Sequence, residues 1–195
     1  MTTRPNRLVL FSLVVAILAA AAPAGLRALV ARMPVLDLAV ATSRSMLDRD
    51  GRLLRAFTVG DGLWRLPVTA AGVDPLYLAM LTAYEDADFA RHRGVDVPAL
   101  LRAGAQLVAN GRVVSGGSTL TMQVVRLAER LKTRAPGGKL HQILAALALE
   151  RRADKAAILD AYLQLAPFGG NIEGVRAASL AYFGKEPKHL SASEA

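Results

Sequence analysis

The nineteen residues from Leu8 to Leu26 carry no charge, and that run constrains this chain more than any other feature. At ~1.5 Å per residue it covers about 28 Å of a bilayer core roughly 30 Å thick, so it predicts a membrane-spanning helix. Arg4 and Arg7 precede it, which predicts a cytoplasmic N-terminus over residues 1–7 and an exported remainder. Ala20-Ala21-Ala22 and Ala22-Pro23-Ala24 also offer small-residue sites for signal-peptide cleavage. The run exceeds a usual secretory apolar region, which favours an uncleaved signal-anchor over residues 8–31. It is too apolar for an amphipathic mitochondrial presequence.

Composition narrows the rest. Hydrophobic residues make up 53% of the 195, so a disordered chain is excluded. There is no cysteine, which removes disulfide scaffolds, thiol catalysis and cysteine zinc sites. Only His92, His141 and His189 are available as imidazole ligands, which disfavours a multi-histidine zinc site. The net charge of +8 suits nucleic acid or an anionic membrane with its phosphate-bearing lipids. An exported, tethered domain seldom meets nucleic acid, so the expected partner is the membrane.

The residues after Arg32 suffice for one domain with a real core. Residues 32–72 read as a linker with a short hairpin over Met46–Phe57, turned at Asp50-Gly51. From residue 73 the pattern is helical. Asp74-Pro75 opens a helix on which Leu76, Met80 and Ala83 recur at helical spacing. Asp96 with Pro98 opens a second helix, closed at Asn110-Gly111, and Ser118 caps a third. Lys139 to Arg151 forms a fourth, with Leu140, Ile143, Leu144 and Leu147 on one face, and Asp154 opens a fifth that Pro167 stops. The exported part is expected to be mainly α.

Three stretches carry chemistry. In Glu85-Asp86-Ala87-Asp88, carboxylates crowd the C-terminal end of a helix, where the dipole repels negative charge. Such crowding suits a general base or acid, and also fits a solvated acidic turn balanced by Arg91 and Arg93. In Gly116-Gly117-Ser118-Thr119 a glycine loop runs into a helix, which exposes N–H groups to an anion. No lysine follows the glycines as a Walker loop requires. Thr119, Gln123, Arg126 and Arg130 then form a polar stripe beside Leu120, Val124, Leu127 and Leu131, a pattern that an ordinary amphipathic helix shares. The third stretch, Lys139 to Lys155, lies within the most basic part of the chain, Arg126 to Lys155, which holds most of the excess positive charge and suits a phosphate-bearing partner, although charge runs usually just solvate a helix face.

The stretch Glu85–Asp96 resembles the E-D-x-x-F-x-x-H-x-G-x-D motif of the peptidoglycan glycosyltransferases (glycosyltransferase family 51), and Gly117–Arg126 resembles their G-S-T-x-x-x-Q-x-x-K/R motif. Lys155-x-x-Ile158-Leu159-Asp160-x-Tyr162-Leu163-Gln164 is similar to K-x-x-I-L-E-x-Y-L-N, and Glu173-Gly174 with Ala177-Ala178-Ser179-x-x-Tyr182-Phe183-Gly184 matches the last motif. The wording around Thr121-Met122-Gln123 and Ala166-Pro167-Phe168-Gly169-Gly170 most resembles the C subtype of class A penicillin-binding proteins.

The resemblance implies a lysozyme-like, mainly α glycosyltransferase domain over residues 73–195. The chain ends at Ala195, where the family continues with further helices, so the domain is expected to be C-terminally incomplete. The domain would lie on the outer, periplasmic face of a bacterial cytoplasmic membrane. The implied reaction polymerises lipid II onto a glycan held by undecaprenyl pyrophosphate and inverts the anomeric centre; the alternatives are a membrane-anchored lipid II-binding or partner-binding fragment without activity, and a lysozyme-like glycan hydrolase. Other cell-wall synthesis proteins are further implied partners. Glu85 matches the catalytic base. Asp86, Phe89, His92, Ser118, Thr119, Gln123, Arg126, Lys139 and Gln142 match substrate-binding positions, with Lys139 and Arg126 at the pyrophosphate. A divalent cation such as magnesium is able to share that charge. Three departures stand out. The family's R-K-x-x-E reads Gly138-Lys139-Leu140-His141-Gln142 here, Asp160 and Gln164 replace Glu and Asn, and no S-x-x-K of a transpeptidase occurs.

Overall fold

The computed structural model describes residues 24–34, 36–110, 117–131 and 136–195. The chain divides into two compact units, residues 1–34 and residues 35–195. In the first, residues 24–32 are helical (α1). Most of the expected span over residues 8–31 lies outside the described residues, and among the described ones no helix is long and apolar enough to cross a membrane.

The second unit opens with the expected hairpin, β1 (Ser45–Leu47) antiparallel to β2 (Leu53–Ala56), with Met46 opposite Arg55. The Asp48 carboxylate accepts from the N–H groups of Asp50 and Arg52, and Gly51 takes a φ of 79° that favours glycine. Five helices follow as α2 (Pro75–Glu85), α3 (Val97–Asn110), α4 (Leu120–Ala128), α5 (Pro136–Leu149) and α6 (Lys155–Leu165). A last helix, α7 (Val175–Phe183), was not expected; it starts at Gly174, which has no side chain to announce a cap. A second small sheet also went unforeseen. In it β3 (Trp64–Arg65) runs parallel to β5 (Ile172–Glu173), which pairs antiparallel with β4 (Pro167–Gly169). The described residues are mainly helical with two small sheets, consistent with the lysozyme-like fold that the resemblance implies.

Local capping explains where the helices begin. The Asp74 carboxylate accepts from Leu76 N–H, Asp96 from Ala99 N–H and Asp154 from Ala157 N–H. The cap of α4 is Thr119 rather than the expected Ser118: Thr119 Oγ1 accepts from Met122 N–H and donates to the Gly94 carbonyl. Ser118 points elsewhere, toward Lys139.

Packing corrects several expected faces. On α2, Leu76, Met80 and Ala83 are exposed, and Tyr77, Leu78 and Leu81 pack on the core of Val68, Val73, Leu163 and Val175. The helix is apolar nearly all the way round, so spacing alone does not choose its buried side. On α5, Leu140 is exposed, while Gln142, Ala145, Ala146 and Leu149 are buried, because small side chains let α5 approach its neighbours closely. Helix α4 is the centre of the unit. It packs on α5 and α6, and Leu120, Thr121, Met122, Val124 and Val125 are wholly enclosed. The polar stripe expected to run on to Arg130 stops earlier: α4 ends at Ala128, and Arg130 has a left-handed φ of 51°.

Candidate active site

The C-terminal end of α2 meets the N-terminal half of α4, and most matched residues gather there. Glu85, the last residue of α2, is half-buried, and its Oε2 accepts from Gln123 Nε2 of α4 at 2.8 Å. Gln123 thereby fixes the carboxylate and leaves Oε1 as the acceptor for a ligand proton. Arg126 lies three positions further along α4, on the same side, and is exposed. Its charge acts on both Lys139 and Tyr162, and Glu85 acts on Tyr162 as well, so the acid and both cations share one electrostatic neighbourhood.

Lys139, near the start of α5, donates from Nζ to Ser118 Oγ at 2.6 Å and to Gln142 Oε1 at 3.0 Å. Burial holds the Lys139 ammonium below the usual lysine range, and the Arg126 charge adds to that. Sequence reasoning missed two tyrosines near Glu85. Burial pushes the Tyr162 hydroxyl up to about 12, helped by the Glu85 charge, and Tyr77 rises for the same two reasons. Tyr162 was already in view within the Lys155–Gln164 motif, but its nearness to Glu85 needs the fold.

The other matched residues face inward. Asp86 is 7% exposed. Its Oδ2 accepts from the Leu120 N–H that opens α4, and both its carboxylate oxygens lie within 3.0 Å of His92 Nε2. Asp86 therefore serves as an anion at a helix N-terminus and ties α2 to α4. Phe89 is buried edge-on to the His92 ring, and Lys155 Nζ sits 4.5 Å from the Phe89 ring centre. Thr119 caps α4, and Gln142 donates to the Met122 carbonyl at 2.6 Å. Asp86, Phe89, His92, Thr119 and Gln142 thus hold the site together from inside. Glu85, Ser118, Gln123, Arg126 and Lys139 are the matched residues left toward solvent.

Glu150 also went unrecognised in the sequence. It accepts from Thr121 Oγ1 at 2.5 Å and Lys155 Nζ at 2.6 Å, and lies 4.0 Å from His92 Nδ1. The basic stretch is therefore no single patch, since Lys155 is paired internally while Arg126 faces out. Carboxylates close to Glu85 in sequence are engaged. Asp88 pairs with Arg91 at 3.0 Å, and Asp96 caps α3. Among the described residues no cluster of three or more acidic or histidine side chains could hold a metal ion. At Lys139 both ends of the Gln142 amide are already bonded, so the donor set does not fit a divalent cation held by the protein.

Comparison with known proteins gives the chain's family. A family profile described as transglycosylase matches residues 50–195. The chain is 48% identical to penicillin-binding protein 1C of Escherichia coli over 153 residues, which is 78% of this chain and 20% of that protein. It is 39% identical to penicillin-binding protein 1A of Pseudomonas aeruginosa, over 74% of this chain and 17% of that protein. It is 38% identical to a biosynthetic peptidoglycan transglycosylase of Burkholderia pseudomallei, over 56% of this chain and 43% of that protein. The chain thus spans less than half the length of each of these relatives. With the family profile covering most of its residues, this chain belongs to the transglycosylase family, the peptidoglycan glycosyltransferases of class A penicillin-binding proteins and their kin.

Proposed function

We propose that this domain polymerises lipid II, transferring a glycan from undecaprenyl pyrophosphate to the sugar 4-hydroxyl of lipid II. The observation that carries the reading is Glu85, held by Gln123 at 2.8 Å on the helix that also presents Arg126. Glu85 Oε1 takes the proton of the 4-hydroxyl as that oxygen bonds to the donor anomeric carbon. The bond from that carbon to the pyrophosphate oxygen breaks, and the anomeric centre inverts. Charge builds on the departing pyrophosphate, where Lys139 and Arg126 oppose it. Ser118 orients the Lys139 ammonium. Tyr162 and Tyr77 remain protonated beside Glu85 and keep its surroundings from gaining further negative charge.

A lysozyme-like hydrolase would set a second carboxylate across the cleft. Asp86 and Asp96 are occupied by bonds within the fold, and Asp88 makes only an exposed pair with Arg91; the engagement of the first two favours transfer over hydrolysis. A membrane anchor at residues 8–31 suits both substrates, since each is held in the bilayer by its lipid. Incubation with labelled lipid II in detergent tests the proposal. Polymer is expected; cleavage of preformed glycan, or binding without product, contradicts it.

A further inference from the structure

Gln142 decides what the neighbourhood of Lys139 is able to hold. Its Nε2 donates to the Met122 carbonyl, its Oε1 accepts from the Lys139 ammonium, and the residue is 1% exposed. Only this amide orientation pairs donor with acceptor at both ends. A carboxylate in its place would set an acceptor against the Met122 carbonyl with no proton between them, at a position closed to bulk solvent. Gln142 therefore offers no free oxygen to a cation. The groups left toward solvent are the half-buried Lys139 ammonium with its Ser118 partner, and the exposed Arg126 guanidinium.

Magnesium binds through hard oxygens, most often carboxylates together with substrate phosphates, and keeps several waters. Two neighbouring cations repel such an ion instead of gathering it. They do match the two charges of a pyrophosphate diester.

We propose that the site takes the pyrophosphate group of a lipid-linked substrate directly on Lys139 and Arg126, without a protein-held divalent cation, and that Gln142 is the positioning residue that makes this so. The proposal rests on the glycosyl-transfer reading for the identity of the pyrophosphate. Burial, and after it the Arg126 charge, lowers the proton affinity of Lys139, and an anion in place would offset the second of these.

Calorimetric titration of the whole chain in detergent with inorganic pyrophosphate tests this, once with chelator and once with magnesium. The unmodified chain is expected to bind in chelator and to gain nothing from magnesium. Lys139→Ala should weaken binding by about tenfold or more, the worth of a charge-assisted contact. Gln142→Glu should weaken it by about tenfold in chelator and recover with magnesium, which the introduced carboxylate is able to hold. Gln142→Met, which fills the space without a carboxylate, should stay indifferent to magnesium and decides the matter if Gln142→Glu fails to fold. Binding by the unmodified chain only in magnesium, or about tenfold tighter there, overturns the proposal. A chain that polymerises lipid II yet needs magnesium for pyrophosphate overturns this inference and leaves the function standing. One that binds pyrophosphate in chelator but makes no polymer does the reverse.

Discussion

At the scale of single residues, adjacent carboxylates take different roles because their surroundings differ. Glu85 keeps one oxygen free beside the cleft, whereas Asp86 turns inward to the Leu120 N–H and His92. Asp86→Asn should therefore destabilise the fold by about 2–4 kcal/mol, since it breaks a buried charged network. Glu85→Gln should cost less than about 1 kcal/mol, as for a site that closes no core. Urea unfolding of the two variants measures the contrast, and equal losses contradict it. Lys139 makes a second prediction, with opposite signs for activity and stability. Its ammonium sits below the ordinary 10.5, so folding disfavours the charged form at neutral pH. That penalty fades as pH rises through the lowered value toward 10.5, so this group's effect on stability improves with pH while its hold on pyrophosphate is lost. The alkaline limb of kcat/KM for lipid II should accordingly begin below 10.5 and move upward in Lys139→Arg, which keeps its charge. Tyr162, at about 12, is too high to produce that limb. A limb unmoved by the arginine removes Lys139 from the account.

At the scale of elements, the starts of α2, α3 and α6 were legible, while those of α4, α5 and α7 and the buried faces of α2 and α5 were not. Asp74, Asp96 and Asp154 each announce a cap through a bond reaching only two or three residues ahead, so local sequence suffices. Ser118 and Thr119 are neighbouring hydroxyls that a local rule cannot separate. The choice falls to Thr119 because a distant carbonyl, that of Gly94, accepts its proton. The buried faces of α2 and α5 depend on which neighbours arrive, and both helices are apolar enough to accept several answers. Gly94 gives the sharpest test at this scale. It has a φ of 91°, and a Cβ there would lie 2.6 Å from the Ala146 carbonyl oxygen of α5. Backbone strain and the clash act together, so Gly94→Ala should lose about 3 kcal/mol and free the Thr119 cap. Thermal unfolding and amide exchange at the start of α4 would show it; an unchanged melting temperature would mean that α5 simply moves aside.

At the scale of the whole molecule, the chemistry was readable as residue types in order, and the arrangement was not. The second unit joins distant parts of the chain through contacts that leave no local trace. The two-residue strand β3 finds β5 from across the sequence, and buried Arg65 donates to Glu173 and to the Ala41 carbonyl. Such short strands show no alternation, and a lone arginine gives no sign of its partner. In the same way Glu85, Gln123, Arg126 and Lys139 were each in view, yet only packing of α2, α4 and α5 puts the acid and the two cations in one neighbourhood. The account stands on that convergence. Its most direct test is single-turnover polymerisation of labelled lipid II by the unmodified chain and by Glu85→Gln, with lipid II binding measured on both. The account predicts a loss of about two to four powers of ten in rate with binding nearly unchanged. A Glu85→Gln chain that polymerises at close to the unmodified rate, or one whose loss follows entirely from weaker binding, contradicts it.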